Sequence, residues 1–272
     1  MSTKTPSPTA KNFYDTWDSI ISAWFKDEHE LDKLLDKKQS LSIRHIPEPY
    51  YGDVDECSIV IINLNPGTGL CEQCWLEKNN PSTFVNYIMN NTYSSAARDF
   101  PLDGSPSPVP MPQASLSWWE SRLLWIDWIL ALKLGIDENK KPRTKKKPFA
   151  IELVPLHSKS FKVADAAEYV NDKYADLLPI IEYAIGVSDS KMGLAIGKPI
   201  CETLLKNGYQ TIPDGGSIQR PLQDVAVGKE RYYCIIKGPQ GGKILCTWSS
   251  GSNKAPAKVF KDYERDVLMP LI

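Results

Sequence analysis

The sequence predicts an α/β protein, a three-layer α/β/α sandwich around a central parallel sheet of four strands. Apolar strands alternate with amphipathic helices along the chain, which is how such sandwiches are wound. Ile59-Val60-Ile61-Ile62 is an unbroken β-branched run, as expected of a parallel strand covered on both faces. Three apolar segments also end in polar, turning loops, and open α/β sheets bind their ligands at such strand ends.

Size and charge narrow the function. The 272 residues suffice for one large core, with 42% hydrophobic and 24% charged residues arguing against general disorder. A formal net charge of −1 gives no global attraction for a polyanion, so nucleic acid would have to be held by a local patch. Met1 to Lys11 is polar, without the apolar stretch of a signal peptide, and no apolar run reaches the length of a membrane span. A cytoplasmic, monomeric protein without a membrane segment is the expectation. Residues 1–40 are expected to form an N-terminal tail and helices packed on the core, and residues 41–272 one α/β/α domain.

No cofactor and no metal are expected. Cys57, Cys201, Cys234 and Cys246 stand singly in apolar runs, as small buried thiols do. Cys71-Glu72-Gln73-Cys74 has ligand-like spacing, but no second pair closes a tetrahedral site.

Along the chain, Phe13, Trp17, Ile20, Ile21, Trp24, Leu31, Leu34 and Leu35 recur at helical spacing, predicting one or two amphipathic helices between Asn12 and Lys37. The strand Ile59–Ile62 leads into Asn63-Leu64-Asn65-Pro66-Gly67, where Pro66 and Gly67 turn the chain. Pro101 to Pro112 reads as an irregular loop, and Leu116 to Leu134 as a helix with a wide apolar face. Its tryptophans are read mainly as core anchors rather than as a base-stacking platform.

Lys140, Lys141, Arg143, Lys145, Lys146 and Lys147 form the densest positive cluster. A solvated connection and a phosphate-contacting loop are both open readings of it. There follow a strand at Phe149–Val154, helices over about 163–184, a strand at Met192–Ile196 and a helix at Pro199–Lys206. The strands Tyr232–Ile236 and Lys243–Trp248 flank Gly238-Pro239-Gln240-Gly241-Gly242, a hairpin-like turn rather than a nucleotide loop, because the glycine–lysine spacing is wrong.

Three segments carry the functional reading: Asn65-Pro66-Gly67, Glu152-Leu153-Val154-Pro155-Leu156-His157, and Trp248-Ser249-Ser250-Gly251-Ser252-Asn253. Together they resemble the uracil-DNA glycosylase superfamily, nearest to its single-strand-selective and mismatch-specific branches. The first matches that family's Asn-Pro-Gly loop. The second matches Asn-x-Cys-Pro-Leu except at its first and third positions. The third shares the Ser and Asn of His-Pro-Ser-Pro-x-Asn. The resemblance spans about residues 55 to 268 and implies a four-stranded parallel sheet in the order 2-1-3-4. It further implies a DNA glycosylase-like hydrolase that extrudes a damaged or deaminated base and breaks its N-glycosidic bond. DNA or single-stranded nucleic acid would be its partner.

In that reading Asn65, Trp248, Ser250 and Asn253 are the catalytic candidates. Pro66, Gly67, Glu152, His157 and Phe84 would line the base pocket, and Lys145, Lys146, Lys147 and Lys254 would meet the backbone phosphates. A neutral amide such as Asn65 can orient a water but is no strong base. Trp248 stands where the family has a group that favours the departing anion, and an indole N–H carries no positive charge. An ionised Glu152 would offer acceptors only, suited to an amino group; a buried one with a raised pKa would take an acid or base role. A structural carboxylate paired with Lys159 or His157 is the plain alternative. Trp248 and Glu152 favour a catalytically weak relative that grips single-stranded nucleic acid or a nucleotide, whereas Asn65-Pro66-Gly67, Ser250 and Asn253 favour an enzyme. An unrelated serine or thiol hydrolase has little support, since no G-x-S-x-G elbow is present.

Overall fold

A computed structural model describes residues 7–26, 41–42, 45–57, 59–64, 83–98, 119, 122–123, 148–158, 166–173, 177–186, 192–212, 220–224 and 229–249. The expected Pro101–Pro112 loop lies outside them, as does most of the expected Leu116–Leu134 helix, of which Trp119, Arg122 and Leu123 are described and helical.

Helix α1 (Pro8–Phe25) begins earlier than its apolar spacing suggests, because Ser7 caps it: the Ser7 Oγ accepts from the Ala10 amide at 3.1 Å, and Pro8 occupies the first turn. Its apolar face buries Phe13, Tyr14, Trp17, Ile21 and Trp24. Phe13 meets Tyr50 at 4.9 Å and Phe149 at 6.3 Å between ring centroids, which docks the helix on the sheet. Each such buried side chain contributes about 1.5–3 kcal/mol.

The remaining elements are β1 (Leu41–Ser42), β2 (Tyr50–Tyr51), β3 (Ile59–Asn63), α2 (Thr83–Met89), α3 (Tyr93–Arg98), β4 (Pro148–Glu152), β5 (His157–Ser158), α4 (Ala166–Lys173), α5 (Leu177–Gly186), β6 (Met192–Ile196), α6 (Lys198–Lys206), β7 (Gln210–Ile212), β8 (Arg220–Asp224), β9 (Lys229–Lys237) and β10 (Lys243–Ser249). Helix α1 packs on α3 and α5, and α4 packs on α6.

The expected all-parallel sheet of four strands is corrected here. The main sheet is mixed and eight-stranded, in the order β2-β4-β3-β6-β10-β9-β7, with β8 also paired to β9. Antiparallel strands extend it on both sides: β2 on β4, and β9 with β7 and β8 beyond β10. A separate two-stranded sheet joins β1 to β5. The physical reason is edge protection, because a parallel sheet left open at β4 and β10 would expose unpaired backbone groups.

Inside this sheet β4, β3, β6 and β10 run parallel to one another, so their carboxyl ends share one edge. All five residues of β3, β4 and β6 are buried, the polar Asn63 and Glu152 that end β3 and β4 included. At the start of β4 the fold demands a glycine. Gly52 has φ +89°, and a Cβ there would lie 2.2 Å from the Pro148 carbonyl oxygen.

The hairpin turn between β9 and β10 precedes β10 and therefore lies at the opposite, amino edge. Its Gly238 amide donates to the Gly242 carbonyl at 2.8 Å. Glu182, from α5, reaches into the turn, and its Oε2 accepts from the Gln240 amide at 3.1 Å. A Cβ at Gly238 would stand 2.1 Å from Glu182 Oε1, so the glycine makes room for a carboxylate of this chain rather than for a phosphate.

Candidate functional site

The parallel pairing of β3 and β4 sets Asn63 directly beside Glu152, at the last position of each strand. Both side chains are buried, each 6% exposed. Asn63 Nδ2 donates to Glu152 Oε1 at 2.9 Å. Glu152 Oε2 is buried and has no hydrogen-bond partner among the described residues. Burial, and then the neighbouring Glu48, hold the Glu152 carboxyl well above the ordinary carboxylate range, against the opposing pull of Asn63 and Arg122. That favours its protonated form, which has an O–H to donate.

Arg122 supplies the positive charge of this corner. It is 4% exposed; burial lowers its guanidinium to about 9, opposed by Glu152, and it remains a cation at neutral pH. Glu48 enters from the other side, between Pro47 and Pro49. The Glu48 amide donates to the Pro155 carbonyl at 2.9 Å and the Glu152 amide to the Pro49 carbonyl at 3.0 Å, which clamps this segment along the end of β4. Glu48 Oε2 accepts from the Tyr51 hydroxyl, and Glu48 Oε1 lies 2.8 Å from His157 Nε2. The His45 and His157 rings lie 5.0 Å apart at 35°. Tyr51 in turn meets Trp119 edge-on at 6.0 Å.

Of the residues singled out from sequence, Glu152 and His157 fall in this corner, but with other partners than the plain reading gives. Glu152 is bonded to Asn63 rather than to His157, while His157 is fully buried against Glu48. Trp248 lies near the end of β10, on the same sheet edge but separated from β3 by β6. It is 4% exposed and stacks on Tyr232 at 5.9 Å and 15°, so its ring is packed as a core wall. Asn65, Pro66, Gly67, Ser250, Asn253, Lys145, Lys146, Lys147, Lys254 and Lys159 lie outside the described residues, as does the side chain of Phe84 on α2.

Asn63, Glu48, Arg122 and Tyr51 escaped the sequence reading, although two of them leave a signal. In the sequence Arg122 is a cation among the apolar Trp119 and Leu123, and a buried cation needs a buried partner. Asn63 is the polar end of an otherwise apolar strand.

Among the described residues no group of three or more His, Cys, Asp or Glu side chains is arranged to hold a metal ion, and Cys71 and Cys74 lie outside them. Cys57, Cys201, Cys234 and Cys246 are buried and in no disulfide. No helix among the described residues is long and apolar enough to cross a membrane. Compared with known proteins, the chain matches no family model, no curated protein and no solved structure.

Proposed function

We propose that the carboxyl edge at β3 and β4 takes up an extruded base and that the chain hydrolyses its N-glycosidic bond, as a DNA glycosylase-like hydrolase. The observation that carries this reading is the Asn63–Glu152 pair at a strand end, its buried Glu152 Oε2 unpartnered among the described residues. A neutral Glu152 offers an O–H donor on Oε2 and a remaining lone pair on Oε1. That is the donor-and-acceptor face of an amide, the group the resembled family places here. It suits a base edge carrying an acceptor beside a donor rather than an amino group alone.

Two residues beyond Asn63 in the chain, Asn65 would orient the attacking water. The water oxygen bonds to the sugar carbon as the C–N bond breaks, its electron pair leaves with the base, and the proton from the water ends on the departing base. Arg122 supports that step, because a buried cation beside the base pocket favours negative charge on the leaving group, which Trp248 cannot do.

The test is release of free base from single-stranded oligonucleotides carrying uracil or hypoxanthine, and from duplexes with mismatched pairs. The native protein is expected to release base, and Asn65→Ala to lose at least about a hundredfold in rate while keeping its affinity. Unchanged release by Asn65→Ala removes that residue from the mechanism. A second reading, a binder of single-stranded nucleic acid without catalysis, is favoured by one observation: Trp248 is packed under Tyr232 and unavailable to a leaving group. It predicts saturable binding with no free base from the native protein.

A further inference from the structure

We propose that Cys234 and Cys246 form a modification site: a small neutral oxidant of the peroxide class converts this pair of thiols into a disulfide that staples β9 to β10. The site lies away from the corner at β3 and β4 and does not depend on what binds there.

Backbone register carries the pairing. Cys234 stands directly opposite Cys246 in the antiparallel β9–β10 pair. Opposed residues in such a pair have Cα atoms about 4.5–5.5 Å apart, within the roughly 4.4–6.8 Å that a disulfide spans. Two residues along, and so on the same face of the sheet, Tyr232 and Trp248 are opposed in the same way and meet ring on ring at 5.9 Å. Joining the two sulfurs therefore asks for side-chain rotation rather than displacement of a strand. Helix α6 packs over both strands, and its Cys201 lies within hydrogen-bonding reach of both thiols. Three sulfurs thus meet beneath one helix, none of them in a disulfide.

Access singles out Cys234 as the first to react. Cys201 and Cys246 are 0% exposed, whereas Cys234 is 6% exposed. The outer side of β9 also changes partner at this residue. Strand β8 pairs with Lys229–Tyr233 and β7 with Ile235–Lys237, and neither register includes Cys234. A seam between two short strands is a place where a sheet opens locally at little cost. Burial protects these thiols from bulky reagents, so the oxidant is one scarcely larger than water, and hydrogen peroxide is the simplest.

Cys234 gives up its proton to water and its sulfur attacks one peroxide oxygen. The S–O bond forms as the O–O bond breaks, and the departing hydroxide takes up a proton, leaving a sulfenic acid. The Cys246 sulfur then attacks the Cys234 sulfur. The S–S bond forms, the S–O bond breaks, and the hydroxide leaves with the Cys246 proton as water. Two thiols are oxidised and one peroxide is reduced to two waters.

The test treats the intact folded protein with hydrogen peroxide, alkylates the remaining thiols and maps the peptides by mass spectrometry without reduction. The expected product is a peptide pair joined through Cys234 and Cys246, lighter by two hydrogens, formed with the circular dichroism unchanged and undone by a reductant. Cys201→Ala should keep that linkage, and Cys246→Ala should lose it and leave Cys234 at the sulfenic stage or beyond. Should Cys246→Ala fail to fold, the native map and Cys201→Ala still decide. A bond from Cys234 to Cys201 in its place, an unmodified Cys234, or a linkage that forms only after the protein is unfolded overturns the proposal.

Discussion

Glu152 and Glu182 are buried to nearly the same degree, 6% and 7% exposed, at opposite edges of the same parallel strands. Glu182 spends its carboxylate on the chain itself: it accepts from Gln240, and the turn it enters has a glycine where any side chain would collide with it. Glu152 is given one donor and retains an oxygen that nothing among the described residues uses. A buried carboxyl that braces a turn of its own chain is part of the scaffold. One left with unused hydrogen-bonding capacity, beside a buried cation at a strand end, has the makings of a ligand site. Burial of the residue alone does not tell them apart; the fully buried, unpartnered Glu152 Oε2 does.

The contrast is broken most forcefully at the amino edge. Gly238→Ala should cost about 1–3 kcal/mol, because the new Cβ displaces the Glu182 carboxylate and strands the Gln240 amide. Denaturant unfolding of the variant measures it, and a loss below about 0.5 kcal/mol would mean that Glu182 does not brace the turn.

A comparison of Glu152→Gln with Glu182→Gln sharpens the difference. A carboxyl whose folded pKa is raised binds its proton more tightly in the native state, so its contribution is full below the unfolded pKa and is lost as pH rises through the folded one. Native stability should thus decline with pH above the ordinary carboxylate range, with a slope of at most about 1.4 kcal/mol per pH unit from this one group. Glu152→Gln keeps the shape, removes the titration and flattens that slope; Glu182→Gln leaves the slope in place. Stability curves at several pH values that stay parallel for native protein and Glu152→Gln would refute this.

The smallest effect is expected from Asn63→Ala. It deletes the donor that partly favours ionised Glu152, so the Glu152 midpoint should move further up, at a cost in stability near about 1 kcal/mol. A downward movement in the carboxyl titration would show that Asn63 is not its main donor.

Sequence disclosed the strands that carry their own apolar runs, such as Ile59–Ile62 and Met192–Ile196, because burial on both faces writes itself into consecutive residues. It did not disclose β1, β2 and β5, of two residues each, or the short β7, whose formation depends on a partner strand rather than on any local pattern. For that reason the apolar runs predict four parallel strands where the sheet is mixed. The site divided in the same way. Glu152 was visible as a polar residue ending an apolar strand. Glu48 was not, since its position beside Glu152 depends on the β2–β4 pairing about a hundred residues along the chain.

The Asn63–Glu152 bond also bears on the order in which the chain can assemble, since it joins residues 89 apart, whereas Lys237 and Lys243 pair across a turn of a few residues. By the logarithmic cost of closing a loop, bringing the first pair together costs roughly 2.4 kcal/mol more than closing the hairpin. No single hydrogen bond offsets that sum. The β3–β4 pairing must be secured by its apolar residues before Asn63 and Glu152 can meet. The hairpin edge can be local and early, and the polar corner is among the last contacts the chain completes.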